Sequence, residues 1–160
     1  MLIRELIRAE TAFLREMLYT ALAWRPDVEL PPKEWVLDHP QVVIFHRDWG
    51  RAGDTALVAE EGGQLVGAVW YRSFTESEHG EGYVDDRTPE LAIAVVEEAR
   101  ARGVGGRLMQ QIHERARHDG VVRISLSVDA DNPARRLYTR LGYVDYEPGD
   151  GLGRMILDLA

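Results

Sequence analysis

The chain has 160 residues, 45% of them hydrophobic, enough to bury one good core, and a single domain over residues 1–160 is the expected organisation. Its net charge of -8 argues against nucleic acid or an anionic membrane as a partner, because both reward a basic surface, while it suits a cationic acceptor. Without cysteine there is no disulfide, thiolate metal site or cysteine nucleophile, and a reducing cytoplasm is the expected location.

Helical and strand patterns interleave along the chain. Leu2 to Leu6 reads as a short strand, followed by an amphipathic helix from about Ala9 to Trp24 with Leu14, Met17, Leu18 and Leu22 supplying apolar surface. Pro26 closes that pattern, Pro31-Pro32 opens a short helical region, and Val42 to Trp49 fits helix or strand. After a turn at Gly50 to Asp54, two strands, Thr55 to Ala59 and Leu65 to Tyr71, meet at Glu60-Glu61-Gly62-Gly63, a hairpin signal. The polar stretch Thr75 to Pro89 is too long for a minimal connection, and long loops in compact domains often serve binding.

Next comes an apolar strand, Leu91-Ala92-Ile93-Ala94-Val95-Val96, and then Arg100-Ala101-Arg102-Gly103-Val104-Gly105-Gly106, which opens a helical pattern from Val104 to His118. A strand that ends on a helix N-terminus is an anion site: its first N–H groups lack intrahelical partners, the helix dipole is positive there, and glycine admits a phosphate to the main chain. A nucleoside-triphosphate loop would need Gly-Lys-Ser/Thr where Gly106-Arg107-Leu108 stands, and a dinucleotide loop would need a third glycine at Leu108. Val121 to Val128 gives the next strand, so strand, helix and strand imply a parallel crossover. A helix from Asn132 to Leu141 follows, with Asn132 able to cap it, Pro133 in its first turn and Gly142 at its C-terminal turn. Strands near Tyr143 to Glu147 and Arg154 to Leu159 close the chain.

The pattern Arg100-x-x-Gly103-x-Gly105 after an apolar strand resembles the pyrophosphate loop of the GCN5-related N-acetyltransferases (GNAT family). The later run Asp131-Asn132-Pro133-Ala134-Arg135-Arg136-Leu137-Tyr138, ending in Leu141-Gly142-Tyr143, resembles that family's second coenzyme helix, with Asp131 in the place where many members carry Asn. The resemblance implies an α/β fold: a mixed, mostly antiparallel central sheet with one parallel, splayed strand pair, flanked by helices. It implies acetyl-CoA as donor, with pyrophosphate held by Arg100, Arg102, Gly103, Val104, Gly105, Gly106 and Arg107. Val95 and Val96 would lie along the pantetheine arm, with a free N–H near Val96 for the thioester oxygen, and Asn132 and Tyr138 would complete the cofactor contacts.

The reaction so implied is direct transfer of an acetyl group to a primary amine of a small molecule or peptide, in a ternary complex. Tyr138 matches the family's proton donor to the leaving thiolate, a task a phenol can perform. An alkylammonium must lose a proton before attack, and Glu90, just before the strand, is the first candidate base; Glu81, Asp85 and His79 in the preceding loop are alternatives. Glu97 and Glu98, next to an anion loop, read as exposed. The five histidines show no ligand spacing, and a metal is not expected. Trp24, Trp35, Trp49 and Trp70 read as core or pocket walls. A non-catalytic acyl-CoA-binding or regulatory protein remains the alternative, and a single chain leaves monomer or homodimer open.

Overall fold

A computed structural model describes all of residues 1–160. Strand β1 (Leu2–Glu5) and a single 3-10 turn lead into helix α1 (Thr11–Leu22), shorter at both ends than its hydrophobic pattern. The early residues are used otherwise: the Glu10 carboxylate accepts the Ile7 N–H at 3.1 Å and takes Arg4 of β1 at 2.7 Å, fixing the strand-to-helix corner. Helices α2 (Lys33–Asp38) and α3 (Pro40–Val43) follow. The ambiguous segment 42–49 is thus the end of a helix and then turns. Pro40 sits in the first turn of α3, and His39 Nδ1 accepts the Gln41 N–H at 3.2 Å.

Strands β2 (Thr55–Glu61) and β3 (Gln64–Arg72) form the expected hairpin. Its two turn residues, Gly62 and Gly63, have φ of 55° and 81°, the left-handed pair that a two-residue hairpin turn demands. Then come β4 (Glu90–Val95), α4 (Val104–His118), β5 (Arg123–Ser127), α5 (Ala134–Arg140), β6 (Val144–Asp145) and β7 (Arg154–Asp158). The seven strands make one sheet in the order β1-β2-β3-β4-β5-β7-β6, antiparallel except for β4 and β5.

Period-2 alternation sends successive residues of β4 to opposite faces of the sheet. Leu91 joins the core under α4, with Leu108, Met109 and Ile112, while Ala94 joins the core under α1, with Leu14, Met17, Leu18 and Trp70. Each fully buried Leu or Ile contributes roughly 1.5–3 kcal/mol of hydrophobic stabilisation. The Schellman turn expected at Gly142 forms: the Tyr143 N–H reaches Tyr138 O at 3.0 Å, the Gly142 N–H reaches Thr139 O at 3.1 Å, and Gly142 has φ 101°. This closure fixes the end of α5 and, with it, the placement of Tyr138.

A buried ion pair holds the segment between α3 and β2. Arg72, on β3, is 1% exposed and Asp54 3%; Nε and Nη2 of Arg72 meet the two Asp54 oxygens at 2.9 and 2.6 Å. The same guanidinium donates to the carbonyls of Ile44, Arg47 and Asp48. Every donor position is thereby occupied along the chain that presents Phe45 to the site. Of the tryptophans, Trp70 is fully buried and donates to Phe45 O at 3.0 Å, and Trp49 lies against Arg72. Trp35 lies outside the core: it is 61% exposed on α2, its ring 5.8 Å from that of His39.

Candidate active site

The parallel strands β4 and β5 pair only where they begin. Glu90 is opposite Ser125, and the Ser125 N–H reaches Pro89 O at 3.0 Å; beyond that point no pairing continues and the strands separate. Alternation along the β3–β4 ladder then decides which backbone groups face the gap. The Val96 N–H is spent on Val66 O at 2.9 Å, so by the period of an antiparallel ladder Ala94 and Ala92 also point toward β3. The groups turned toward the opening are those of Ile93 and Val95. The N–H expected near Val96 is therefore displaced by one residue, a consequence of register that the residue types do not encode.

A cavity of about 580 Å³ occupies the gap. Its walls include Ile93 and Val95 of β4 and Arg100 beyond it, Asn132 and Tyr138 from the α5 region, and Glu90 and Glu81 at the other end. Leu18, Leu22, Val42 and Phe45 close it from α1 and α3. The mouth is tied across: Trp24 Nε1 donates to Asp129 at 3.2 Å, and Arg25 takes both oxygens of Asp131 at 2.8 and 2.9 Å, joining the end of α1 to the loop before α5.

Past β4 the chain makes one 3-10 turn, with Glu97 and Glu98 exposed, and enters α4 through Ala101 (φ 60°) and Gly103 (φ 80°). The first helical N–H to bond back is that of Arg107, to Gly103 O at 3.1 Å, which leaves those of Val104, Gly105 and Gly106 pointing out of the helix end. Val104 is buried by its side chain and offers only its backbone. A Cβ on Gly105 or Gly106 would meet nothing closer than Leu137 at 3.6 and 3.8 Å, so Gly103, through its positive φ, is the glycine that the turn itself requires. Arg107 is exposed at this end. Arg100 donates from Nε to Val95 O at 3.0 Å, and Arg102 leans 3.3 Å from Glu61. Asn132 caps α5 as expected, its Oδ1 accepting the Ala134 N–H at 3.0 Å. The cradle of outward N–H groups beside three arginines fits a pyrophosphate.

Glu90 is 3% exposed, and burial pushes its carboxyl up to about 7 against the downward pull of a bond from the Gly82 N–H to Oε2 at 3.1 Å. Oε1 has no hydrogen-bond partner, and neither has the buried hydroxyl of Ser125, its register neighbour on β5. Two glycines wrap this carboxyl. A Cβ on Gly80 would stand 2.5 Å from Phe45 and 2.6 Å from Glu90 Oε2, and one on Gly82 would stand 2.9 Å from Glu90 Cδ and from the Leu126 backbone. Gly80 and Gly82, on either side of the candidate Glu81, are the part of the site that the sequence did not point to; their only local sign was a pair of glycines two residues apart inside a polar loop. Of the alternative bases, Glu81 lines the cavity. Asp85 is turned away to Arg123 at 2.7 Å, and His79 stacks on Tyr83.

Tyr138 is 7% exposed, and burial pushes its phenol up to about 12. Its ring packs 5.8 Å from that of Tyr143, whose hydroxyl meets His113 Nε2 at 2.8 Å. Burial lowers His113 to about 4, keeping the imidazole neutral. No cluster of three or more His, Asp or Glu side chains is arranged to hold a metal ion.

A sheet parted at its one parallel pair, with a polar helix end at one limit of the gap and a buried carboxyl at the other, has the construction of an acyl-coenzyme A transferase. The chain belongs to the acetyltransferase (GNAT) family, whose model matches residues 16–143. It is 35% identical over 117 residues to the mycothiol acetyltransferase of Brachybacterium faecium, a match covering 66% of this chain and 33% of that protein, so the chain spans about a third of that relative. Among solved structures it is similar to the ribosomal-protein-alanine N-acetyltransferase from Brucella melitensis, at 25% identity and a TM-score of 0.66, with 99% of each chain covered. It shares its fold with a GNAT family acetyltransferase from Brucella melitensis in complex with acetyl-CoA, at 19% identity and a TM-score of 0.64, covering 99% of this chain and 88% of that one.

Proposed function

We propose that the protein is an acetyl-CoA-dependent N-acetyltransferase that passes the acetyl group to a primary amine by direct attack. The observation that carries this reading is the single cavity shared by Glu90, Tyr138 and the outward backbone of Ile93 and Val95, open toward the glycine-rich end of α4. Bound acetyl-CoA supplies the thioester. The N–H groups of Val104, Gly105 and Gly106, with Arg100, Arg102 and Arg107, would receive its pyrophosphate. Of the N–H groups of Ile93 and Val95, about 6.7 Å apart on the strand, one would donate to the thioester oxygen, where a preorganised donor is most effective, and the other to the pantetheine arm. Glu90, near 7, is divided between its two forms at neutral pH, the condition in which a carboxyl can take a proton from an arriving ammonium. Tyr138 stays protonated at any physiological pH and is the donor to the departing thiolate.

Under this reading residues 1–160 act as one acetyltransferase domain, and a reducing cytoplasm is the compartment that suits it. No helix is long and apolar enough to cross a membrane. The test is release of coenzyme A thiol from acetyl-CoA, followed with and without a panel of amines. Amine-dependent release supports the reading. Tight coenzyme binding with no amine-dependent release would favour a binding or regulatory protein instead.

A further inference from the structure

Any acceptor has to be met at the Glu90 end of the cavity, and the charges of that end are of one sign. The acidic groups in the wall are Glu81 and Glu90, and Glu90 brings a buried oxygen that no protein group satisfies. The one cationic side chain in the wall is Arg100. It lies past Val95, five residues along β4 from Glu90 or about 17 Å at strand spacing, and its Nε is already bonded to Val95 O. Arginines behind the wall are committed elsewhere: Arg25 to Asp131, Arg72 to Asp54 and Arg123 to Asp85. The rest of the wall on the α1 and α3 side is uncharged and mainly apolar, with Leu18, Leu22, Val42 and Phe45 beside the neutral polar Thr20 and Gln41.

We propose that the acceptor is a primary amine carried on an apolar body, with no carboxylate on the carbon beside the amine. The proposal rests on amine acetylation as the reaction and narrows its substrate class. A free amino acid brings its carboxylate within a few ångströms of the reacting nitrogen. There it would face the exposed Glu81 and the buried Glu90 with no cation to receive it, and beside Glu90 the low dielectric strengthens the repulsion of like charges. A polyamine fails for the opposite reason: beyond Glu81 and Glu90 its further ammonium groups would meet leucine, valine, phenylalanine and the uncharged Thr20 and Gln41, with no carboxylate to pair with. An arylalkylamine, or an amino acid whose carboxyl is an amide, presents one cation to the carboxyl pair and an apolar side chain to the wall.

The experiment compares 2-phenylethylamine, phenylalaninamide, phenylalanine and spermidine as acceptors with the intact protein and acetyl-CoA. The amine of 2-phenylethylamine is no less basic than that of phenylalanine, so a preference for it does not come from a larger share of free base. Expected is a kcat/KM at least about tenfold higher for 2-phenylethylamine than for phenylalanine or spermidine, and at least about tenfold higher for the amide than for phenylalanine once each is expressed per free base, because the amide's amine is the less basic. In the variant Glu81→Lys, at an exposed loop position, the margin over phenylalanine is expected to shrink at least about threefold, because the added ammonium receives the carboxylate. Phenylalanine used as well as its amide, or spermidine used best, overturns the proposal while leaving acetyl transfer standing. No transfer to any of the four, with coenzyme binding intact, overturns the proposal, and the transferase reading falls with it only if the wider panel of amines also releases no coenzyme A thiol.

Discussion

The two ends of β4 are built on different principles. At the Val95 end the working groups are backbone: N–H groups freed because β5 diverges, and N–H groups freed because a helix begins. At the Glu90 end they are side chains, brought from β4, the 80–82 loop, α1 and the chain after α3. Backbone tolerates substitution of the residues that carry it, provided the glycine turn survives. A side-chain chamber does not, because the Glu90 carboxyl is buried and the two glycines around it leave no room for a Cβ. The contrast predicts where mutation should be costly.

The largest effect is expected at the side-chain end. Glu90→Gln keeps the shape and removes the base; at neutral pH it should lower kcat about 10²–10⁴-fold and abolish the rise in rate through pH 7, read from pH–rate profiles of both proteins. A wild-type level of turnover in this variant would move the proton transfer to another group and dissolve the contrast. Close behind in energy is the clamp that presents Phe45. Arg72→Leu strands the buried Asp54 and three carbonyls and should cost about 3–5 kcal/mol, seen as a lowered midpoint in urea unfolding.

The same carboxyl sets a pH dependence of stability. The folded-state pKa of Glu90, about 7, lies above its ordinary 4.5, so folding favours the protonated form. The stability this lends is complete below pH 4.5 and is lost as the pH rises through 7, on the order of 3 kcal/mol at full ionisation. His113 works in the opposite sense: its imidazole is held near 4, so its contribution is present above 6.5 and is lost as the pH falls toward 4. The clean measurement is the difference between wild type and Glu90→Gln. The variant should gain in relative stability between pH 5 and pH 8, and an unchanged difference would show that the carboxyl is not desolvated in the folded protein.

Smaller effects sharpen the other end. Tyr138→Phe should reduce kcat about 10²-fold, the lower end of the general-acid range because a thiolate leaves readily, with KM for acetyl-CoA nearly unchanged. Gly103→Ala forces a Cβ into φ 80° and should cost about 1–2 kcal/mol, expressed chiefly as a raised KM for acetyl-CoA. Replacement of Val96, whose N–H is already bonded to Val66, should disturb neither constant beyond its packing.

The sequence by itself determined the local geometry of the proposed donor half. A helix end open to an anion depends on residues adjacent in the chain, so the run proposed for phosphate, Arg100 to Arg107, was readable as one stretch; the hairpin at Gly62-Gly63, the full span of α4 and the closing turn at Gly142 were legible for the same local reason. That Tyr138 and Glu90 share one cavity was anticipated from a helix motif and from a place before a strand, and the roles proposed for them rest on that placement. Tertiary structure alone decided which β4 amides face the gap, because ladder register is settled by the partner strand and shifts every group when it moves by one residue. It alone also drew Gly80 and Gly82 around Glu90, committed Asp85 to Arg123, and set Leu18, Val42 and Phe45 opposite a carboxyl tens of residues away. A chamber assembled from distant segments has no period or spacing in the chain. Its chemistry, a carboxyl raised to about 7, comes into being only when folding removes the water.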